Sequence, residues 1–316
     1  MVIKKFILLA SLLLILFYLV SCGASDTAVE GQGFSGKYGL KFTLSESDKE
    51  ETQVFQNSNL FYQVEIENHG PVAAELKFKT SSNLAKDYVQ FQEAQNKNIP
   101  QSTIPGEPER AFVEFYGNVI SAEGLPKDTR FQTVVEACYN YETNYNKLFC
   151  IRGDPEIPEK DPVCQSNTIL VSSEGQAAPI SVESIEYRAS PSGNDVIHFF
   201  KIHLSQFDYG GDTEIFRSSF DSCTDYKIED YYANRWIVDL LEARLGKNDL
   251  DCAVPKDGII LSTGRRSIDC RVTLPKSSDN LLSPLQFKFK YGVNTKIEPK
   301  KYKLEGKPIE PGRGFY

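Results

Sequence analysis

The feature that most constrains the fold is an alternation of apolar and polar side chains with a period of two residues. Phe287, Phe289 and Tyr291, for example, alternate with Lys288 and Lys290. Successive side chains of a β-strand point to opposite faces, so this pattern predicts strands with one buried face. Aromatic residues make up 12% of the chain, and they favour strands. Pattern and composition therefore both predict an all-β fold. Similar segments occur at 38–44, 60–66, 74–78, 111–116, 182–187, 196–204 and 268–274.

The cysteines predict a framework of disulfides. Six cysteines follow Cys22, and an even number in an exported chain favours disulfides over free thiols. The chain contains no C-x-x-C spacing, which argues against zinc and thioredoxin-like chemistry. The six are Cys138, Cys150, Cys164, Cys223, Cys252 and Cys270.

A hairpin in which Cys138 pairs with Cys150 accounts for the residues around both cysteines. Its turn would lie at 143–145, and its register would place apolar residues opposite apolar residues and an acid opposite a base. Cys252 and Cys270 flank a second predicted hairpin with its turn at 264–266, and Cys164 then pairs with Cys223 by elimination. The cross-strand partners of the first hairpin are Tyr139 with Phe149, Ala137 with Ile151, and Glu136 with Arg152.

An acidic segment with three prolines, Gly153–Pro162, predicts a boundary between two domains. A length of 316 residues also suits two domains rather than one. The expected organisation is a signal segment at 1–21, a flexible tether at 22–36, a first sandwich at 37–153, a linker at 154–163, a second sandwich at 164–293 and a basic tail at 294–316.

The N-terminus resembles an export signal. Lys4 and Lys5 precede an apolar run from Phe6 to Val20, and Leu19-Val20-Ser21-Cys22 then places small residues before a cysteine. This order is similar to a prokaryotic lipobox, which implies that the Cys22 thiol carries a lipid and becomes the mature N-terminus. A cleaved secretory signal and an uncleaved anchor helix are the alternatives, although the 16 residues from Phe6 to Ser21 are fewer than the roughly 20 apolar residues that a bilayer requires.

Several motifs carry a resemblance to a family. Gly175-Gln176-Ala177-Ala178-Pro179 follows a cysteine, Leu245-Gly246 precedes Cys252 and Cys270, and Ala137-Cys138-Tyr139-Asn140-Tyr141 precedes Cys150. These motifs resemble uncharacterised exported Ig-like β-sandwich surface proteins of small-genome archaea, in which we expect glycine at position 177. The resemblance implies two tandem Ig-like β-sandwich domains and an envelope location, and it implies no activity.

The segment 236–245 is ambiguous between helix and strand. Ile237, Leu240, Leu241 and Leu245 have helical spacing, and Gly246 could end a helix. The family resemblance favours a strand, which we predict here.

The sequence contains no recognisable catalytic motif. His69 lies in a predicted turn, while His198 and His203 lie on opposite faces of one predicted strand, so no two histidines of that strand could converge. G-x-S-x-G, H-E-x-x-H and phosphate-binding glycine loops are also absent. We therefore predict a protein that is not an enzyme and has no cofactor.

Two candidate binding features remain. Asp208, Asp212 and Glu214 surround two glycines and could bind calcium through oxygen ligands, although solvated turns are often acidic. Tyr231, Tyr232, Arg235 and Trp236 are of the residue types that recognition surfaces favour. The alternative for these aromatic residues is that they fill the core of a sandwich.

The sequence therefore predicts a lipid-anchored, non-enzymatic cell-surface protein that acts in adhesion, envelope structure or protein binding. A surface lipoprotein that binds a solute or a glycan is the alternative. A net charge of −8 argues against nucleic acid as a partner. The expected partners are the membrane, through the lipid, and an envelope protein or glycan.

Overall fold

The computed structural model describes residues 38–45, 50–92, 96–122, 125–126, 128–157, 169–171, 176–206, 213–224, 227–261 and 265–305. All of them belong to one compact unit of the chain, which runs from Gly33 to Tyr316. They form an all-β structure with one short helix, α1 (Ile228–Asn234). The all-β prediction is confirmed. In chain order the strands are β1 (Leu40–Leu44), β2 (Thr52–Val54), β3 (Asn59–Asn68), β4 (Ala74–Ser82), β5 (Val89–Phe91), β6 (Lys97–Ile99), β7 (Glu109–Val119), β8 (Thr129–Ile151), β9 (Ile169–Val171), β10 (Ile180–Ser192), β11 (Asp195–Gln206), β12 (Thr213–Phe216), β13 (Ile237–Leu245), β14 (Asn248–Asp249), β15 (Asp251–Cys252), β16 (Ile259–Ile260), β17 (Arg265–Pro275) and β18 (Leu281–Leu304).

These strands form three sheets. A four-stranded sheet has the order β1-β3-β7-β5, and a five-stranded sheet has the order β15-β17-β11-β10-β9. The third and largest sheet has the order β14-β13-β18-β8-β4-β6, with β12 and β2 also paired to β18 and β16 paired to β13. We call it the central sheet.

Two long antiparallel strands form the middle of the central sheet. β8 has 23 residues and β18 has 24, and they pair from Thr129 opposite Leu304 to Ile151 opposite Leu281. The predicted hairpin turn at 143–145 is therefore wrong, because these residues continue β8 and pair with Phe289, Lys288 and Phe287. The residues of 136–152 also matched in the predicted hairpin register because buried and exposed side chains alternate along most of β8.

One face of β8 contributes to two hydrophobic regions. Near its middle, the ring of Tyr139 lies 6.1 Å from that of Phe42 in the four-stranded sheet. Near its end, the ring of Phe149 lies 5.1 Å from Tyr187 and 5.6 Å from Phe200 in the five-stranded sheet. Tyr139 and Phe149 are an even number of residues apart, so they point to the same side of the strand. Both smaller sheets therefore pack as sandwich layers on the central sheet.

This arrangement corrects the expectation of two separate tandem sandwiches at 37–153 and 164–293. Strands from both sides of the predicted linker belong to the central sheet, because β8 pairs with β18 throughout. The chain has instead two sandwich regions that share one sheet. The prediction of a tail at 294–316 is wrong for its first part, since Asn294–Leu304 completes β18 and pairs with β8.

Buried hydroxyl groups join the two sandwich regions at the middle of β8. Thr143 donates through Oγ1 to the carbonyl of Ile180 at 2.6 Å and also lies 2.9 Å from the Tyr291 hydroxyl. That hydroxyl accepts the Ile180 amide at 3.2 Å, and the Tyr141 hydroxyl donates to the Ala177 carbonyl at 3.3 Å. Burial raises the pKa of both tyrosines well above its ordinary value.

Glycine is required where the chain crosses this junction. A Cβ on Gly70 would overlap the Tyr141 hydroxyl and lie 2.7 Å from the Ala177 carbonyl oxygen. Ala177, the position at which the family resemblance implies glycine, is buried and has a φ of 48°. This left-handed backbone conformation favours glycine.

The turn at Asn68–Pro71 does not form the predicted hairpin between β3 and β4. β3 belongs to the four-stranded sheet and β4 to the central sheet, so the chain changes sheets there. The buried Asn68 holds this crossing, because its Nδ2 donates to the carbonyls of Val72 at 2.8 Å and Pro100 at 2.7 Å. The strand predicted at 236–245 is confirmed as β13.

The disulfides correct one predicted pairing and confirm another. Cys252 is bonded to Cys270, as predicted, whereas Cys138 is bonded to Cys223 and not to Cys150. An extended strand such as β8 separates the Cα atoms of Cys138 and Cys150 by about 40 Å, while a disulfide requires less than about 7 Å. Because Cys223 is bonded to Cys138, the predicted pair of Cys164 and Cys223 is wrong. Cys150 is also disulfide-bonded. Cys164 lies outside the described residues.

We expect removal of the Cys138–Cys223 disulfide to destabilise the fold more than removal of Cys252–Cys270. The two bonds close loops with sequence separations of 85 and 18 residues. The chain-entropy model gives about 5 and about 3 kcal/mol for loops of these lengths. Chemical unfolding of the double alanine variants measures the difference. Non-reducing peptide mapping should show the same two links, and a Cys138–Cys150 peptide would contradict the structure.

Candidate functional site

The four residues of the predicted recognition surface lie in and directly after α1, between β12 and β13. We call Tyr231, Tyr232, Arg235 and Trp236 the α1 patch. None of the residues of α1 is buried, although the Tyr231 ring lies 5.5 Å from that of the buried Phe216 in an edge-to-face arrangement. The disulfide at Cys223 fixes the chain shortly before it, and Lys77 of β4 donates to Asp221 at 2.5 Å. The patch is thus tethered to the central sheet from its N-terminal side.

Glu214 of β12 organises the polar part of the patch. Its two carboxylate oxygens lie 2.7 and 2.9 Å from the Tyr231 hydroxyl, which donates to them. Its Oε1 also lies 2.8 Å from Nη2 of Arg235. The guanidinium carbon of Arg235 in turn lies 4.9 Å from the centre of the Trp236 ring and 5.4 Å from that of Tyr231. The carboxylate therefore orients both Tyr231 and Arg235.

Trp236 joins the patch to the core. It is partly buried against the main hydrophobic cluster, and its amide donates to the Ile215 carbonyl at 2.7 Å. Its φ of 64° is unusual for a bulky residue. Backbone hydrogen bonds on both sides hold this conformation, because the Trp236 carbonyl also accepts the amide of Leu261 at 2.8 Å. Strained backbone of this kind is often found at functional sites.

Tyr232 is the exposed member of the patch. Its side chain is 66% exposed, and its ring lies 5.2 Å from that of Tyr231 in an edge-to-face arrangement. Ile228, one helical turn earlier, is 58% exposed and lies on the same side of α1. Ile228 was not among the residues predicted from the sequence, although its spacing of four residues from Tyr232 is typical of one helix face. The predicted alternatives were a recognition surface and a sandwich core. Neither alternative describes all four residues of the α1 patch, since Tyr232 is exposed and Trp236 is partly buried.

The calcium hypothesis loses support from Glu214. Its carboxylate is already bonded to Tyr231 and Arg235, and a calcium ion would have to compete with the guanidinium charge. Asp208 and Asp212 lie outside the described residues. Among the residues that the structure does describe, no group of three or more metal-ligating side chains is placed to hold an ion.

The three histidines occupy separate positions. His69 lies 3.3 Å from Glu67, and His203 lies 2.7 Å from Glu186. His198 is buried in β11, with Nδ1 2.9 Å from the Tyr187 hydroxyl, which also accepts the Arg152 amide at 3.0 Å. Burial lowers the pKa of His198 to about 4. His198 is therefore neutral near pH 7 and joins strands of the core.

No protein-family model and no curated protein sequence matches this chain. The Ig-like resemblance therefore stays a prediction. The disulfides indicate that the folded chain occupies a non-reducing environment, since reducing compartments keep thiols free. None of the helical structure in the described ranges has the length and apolar character of a membrane-spanning helix.

We expect the free energy of unfolding to decrease as the pH falls from about 6.5 towards about 4, because His198 takes up a proton only after unfolding. The contribution of His198 to stability is complete above its pKa in the unfolded chain, 6.5, and is lost as the pH approaches its pKa in the folded chain, about 4. Urea unfolding at several pH values measures this dependence. His198→Gln should weaken it over this same range, from about pH 6.5 to about pH 4, whereas His203→Gln, at a histidine outside the core, serves as the control. Equal dependence in both variants would contradict the assignment.

Proposed function

We propose that the chain is a lipid-anchored, non-enzymatic cell-surface protein that binds an envelope protein through the α1 patch. The observation that supports this proposal best is the exposed pair of Tyr232 and Ile228 on a helix that has no buried residue. Replacing an exposed apolar side chain changes the free energy of unfolding little, so folding does not require these two residues. Binding to a partner would account for their exposure.

The order of the patch favours a protein partner. Glu214 holds Arg235 and Tyr231, and both the disulfide of Cys223 and the strand bonds of Trp236 restrict the backbone. A surface that is ordered before binding loses less conformational entropy in the complex. Aromatic residues and arginine are also the residue types that contribute most to binding energy in protein interfaces.

The proposed location combines the disulfides with the N-terminal sequence. Disulfides require an oxidising compartment, and the lipobox-like segment that ends at Cys22 would retain the protein at the membrane of the exporting cell. Two acyl chains bind a membrane stably, whereas one chain binds only marginally. The tether that follows Cys22 lies outside the described residues.

We expect Cys22→Ala to move the protein from the membrane fraction to the soluble fraction, because the variant lacks the thiol that would accept the lipid. Ultracentrifugation and detergent-phase partitioning of the full chain measure the change. Ser21→Ala is the matched control, since it keeps a small residue before the cysteine and should stay in membranes. Membrane retention of Cys22→Ala with an unprocessed N-terminus would contradict lipidation and support an anchor helix.

We expect Tyr232→Ala to weaken partner binding at least about tenfold, the effect of losing a residue that contributes strongly to an interface. The free energy of unfolding should change by less than about 0.5 kcal/mol, because the ring is exposed. Chemical crosslinking on intact envelopes that carry each variant at equal levels, followed by quantification of the protein adduct, measures binding.

The matched control for this experiment is Phe55→Ala. Phe55 is 53% exposed and lies after β2, away from α1 in the sequence. It should leave the adduct unchanged. Equal adduct yields for wild type and Tyr232→Ala, or the absence of any adduct with wild type, would overturn the proposal for this patch.

A further inference from the structure

A second group of exposed aromatic residues lies on the outer face of the four-stranded sheet. Phe61 of β3 and Tyr116 of β7 are paired across the strands, and their ring centres lie 5.3 Å apart. Phe112 lies four residues before Tyr116 on β7. The exposed fractions are 47% for Phe61, 45% for Tyr116 and 50% for Phe112. We call these three residues the Phe112 face.

The strand alternation explains why these rings face solvent. Leu60 and Tyr62, the neighbours of Phe61, are both buried, as are Val113 beside Phe112 and Phe115 beside Tyr116. Adjacent residues of a strand point to opposite faces, so the core side of this sheet is already filled. The three outer rings are additional to the core and form an apolar group on a flat sheet surface. Exposed apolar groups of this kind mark interaction surfaces.

Hydrogen-bonding side chains separate the rings along the strands. Glu114 lies between Phe112 and Tyr116 and is opposite Gln63 of β3. The Tyr116 hydroxyl donates to Oε2 of Glu114 at 2.5 Å, so the carboxylate is held in place between the two rings. The surface therefore alternates aromatic rings with amide and carboxylate groups.

The stronger charges at the end of this face are already paired with one another. Arg110 lies 2.9 Å from Glu67 and 3.5 Å from Glu65, and Lys41 lies 3.3 Å from Glu67. Although burial opposes its ionisation, hydrogen bonds from Lys41 and His69 and the charge of Arg110 lower the pKa of Glu67. An ionic polymer would have to break these pairs to gain charge complementarity. An uncharged partner would not.

We infer that the Phe112 face binds a neutral oligosaccharide. The C–H faces of sugar rings pack on flat aromatic side chains, and sugar hydroxyls donate to carboxylates and bond to amides in both directions. Phe112 and Tyr116 lie four residues apart on one strand, a distance of about 13 Å, so the ligand extends over more than one sugar ring. Gln63 and Glu114 bind its hydroxyl groups between the two aromatic contacts. This site does not depend on the α1 patch.

Calorimetric titration of the full chain tests the inference, in a detergent that has no sugar headgroup. The probes are cellohexaose, maltohexaose, mannohexaose and the hexamer of N-acetylglucosamine, which are all neutral and differ in linkage and substituents. We expect saturable binding of at least one probe. Phe112→Ala and Tyr116→Ala should each weaken it about tenfold, as loss of an aromatic contact does.

Matched variants separate ligand contacts from sheet stability. Tyr116→Phe and Phe112→Tyr keep an aromatic ring and should retain most of the affinity, while Tyr232→Ala in the α1 patch should retain all of it. Urea unfolding shows whether each alanine variant is folded at the titration temperature, and a variant that is not folded is replaced by Glu114→Gln with Gln63→Ala, which should also weaken binding. Failure of wild type to bind any probe, or equal binding by wild type and folded ring variants, would overturn the inference. Self-association through this face, detected as an increase in mass with concentration that Phe112→Ala abolishes, would also overturn it.

Discussion

The pairing of β8 with β18 is the interaction on which the rest of the structure depends. Their pairing runs from Thr129 opposite Leu304 to Ile151 opposite Leu281. Side chains of β8 contact both smaller sheets, Tyr139 the four-stranded one and Phe149 the five-stranded one. A change in their register by one residue would move the apolar residues of both regions to the solvent face at once. The two regions therefore share their register as well as their sheet. Thr143 of β8 and Tyr291 of β18 also bond the backbone of Ile180, which ties the five-stranded sheet to the paired strands.

This shared sheet also explains how a small polar helix can be presented at a fixed position. β12 and β13 both pair with β18, and the segment between them contains α1. The disulfide from Cys138 of β8 to Cys223 crosses to the same segment from the outer face of the sheet. The α1 patch is thus held by backbone pairing, one covalent bond and the Glu214 ion pair. None of these interactions involves the side chains of Tyr232 and Ile228, which stay exposed.

The two proposed surfaces differ in the physical basis of their exposure. The Phe112 face consists of the outward residues of strands whose inward residues are fully buried, so its aromatic residues follow the period of the sheet. The α1 patch lies outside the sheet alternation and depends on specific contacts of Glu214, Arg235 and Trp236. A flat sheet face with amide groups suits an extended neutral polymer, whereas a protruding helix with ordered aromatic residues suits a pocket on a protein. We therefore propose two separate binding surfaces, one for a protein and one for a neutral oligosaccharide.

Local alternation by itself determined that this chain is all-β and where most of its strands lie, because the side-chain period of a strand is visible in adjacent residues. It also predicted the Cys252–Cys270 bond, whose partners flank a short local hairpin. Alternation does not encode which strand is the partner, and for β8 the true partner begins more than a hundred residues later in the chain. A local hairpin with good cross-strand agreement was therefore indistinguishable from one straight strand. Only the tertiary structure decided that Cys138 bonds Cys223, that 294–304 is a core strand rather than a tail, and that Glu214 belongs to the α1 patch. Each of these depends on contacts between residues far apart in sequence, for which a period-two pattern carries no information.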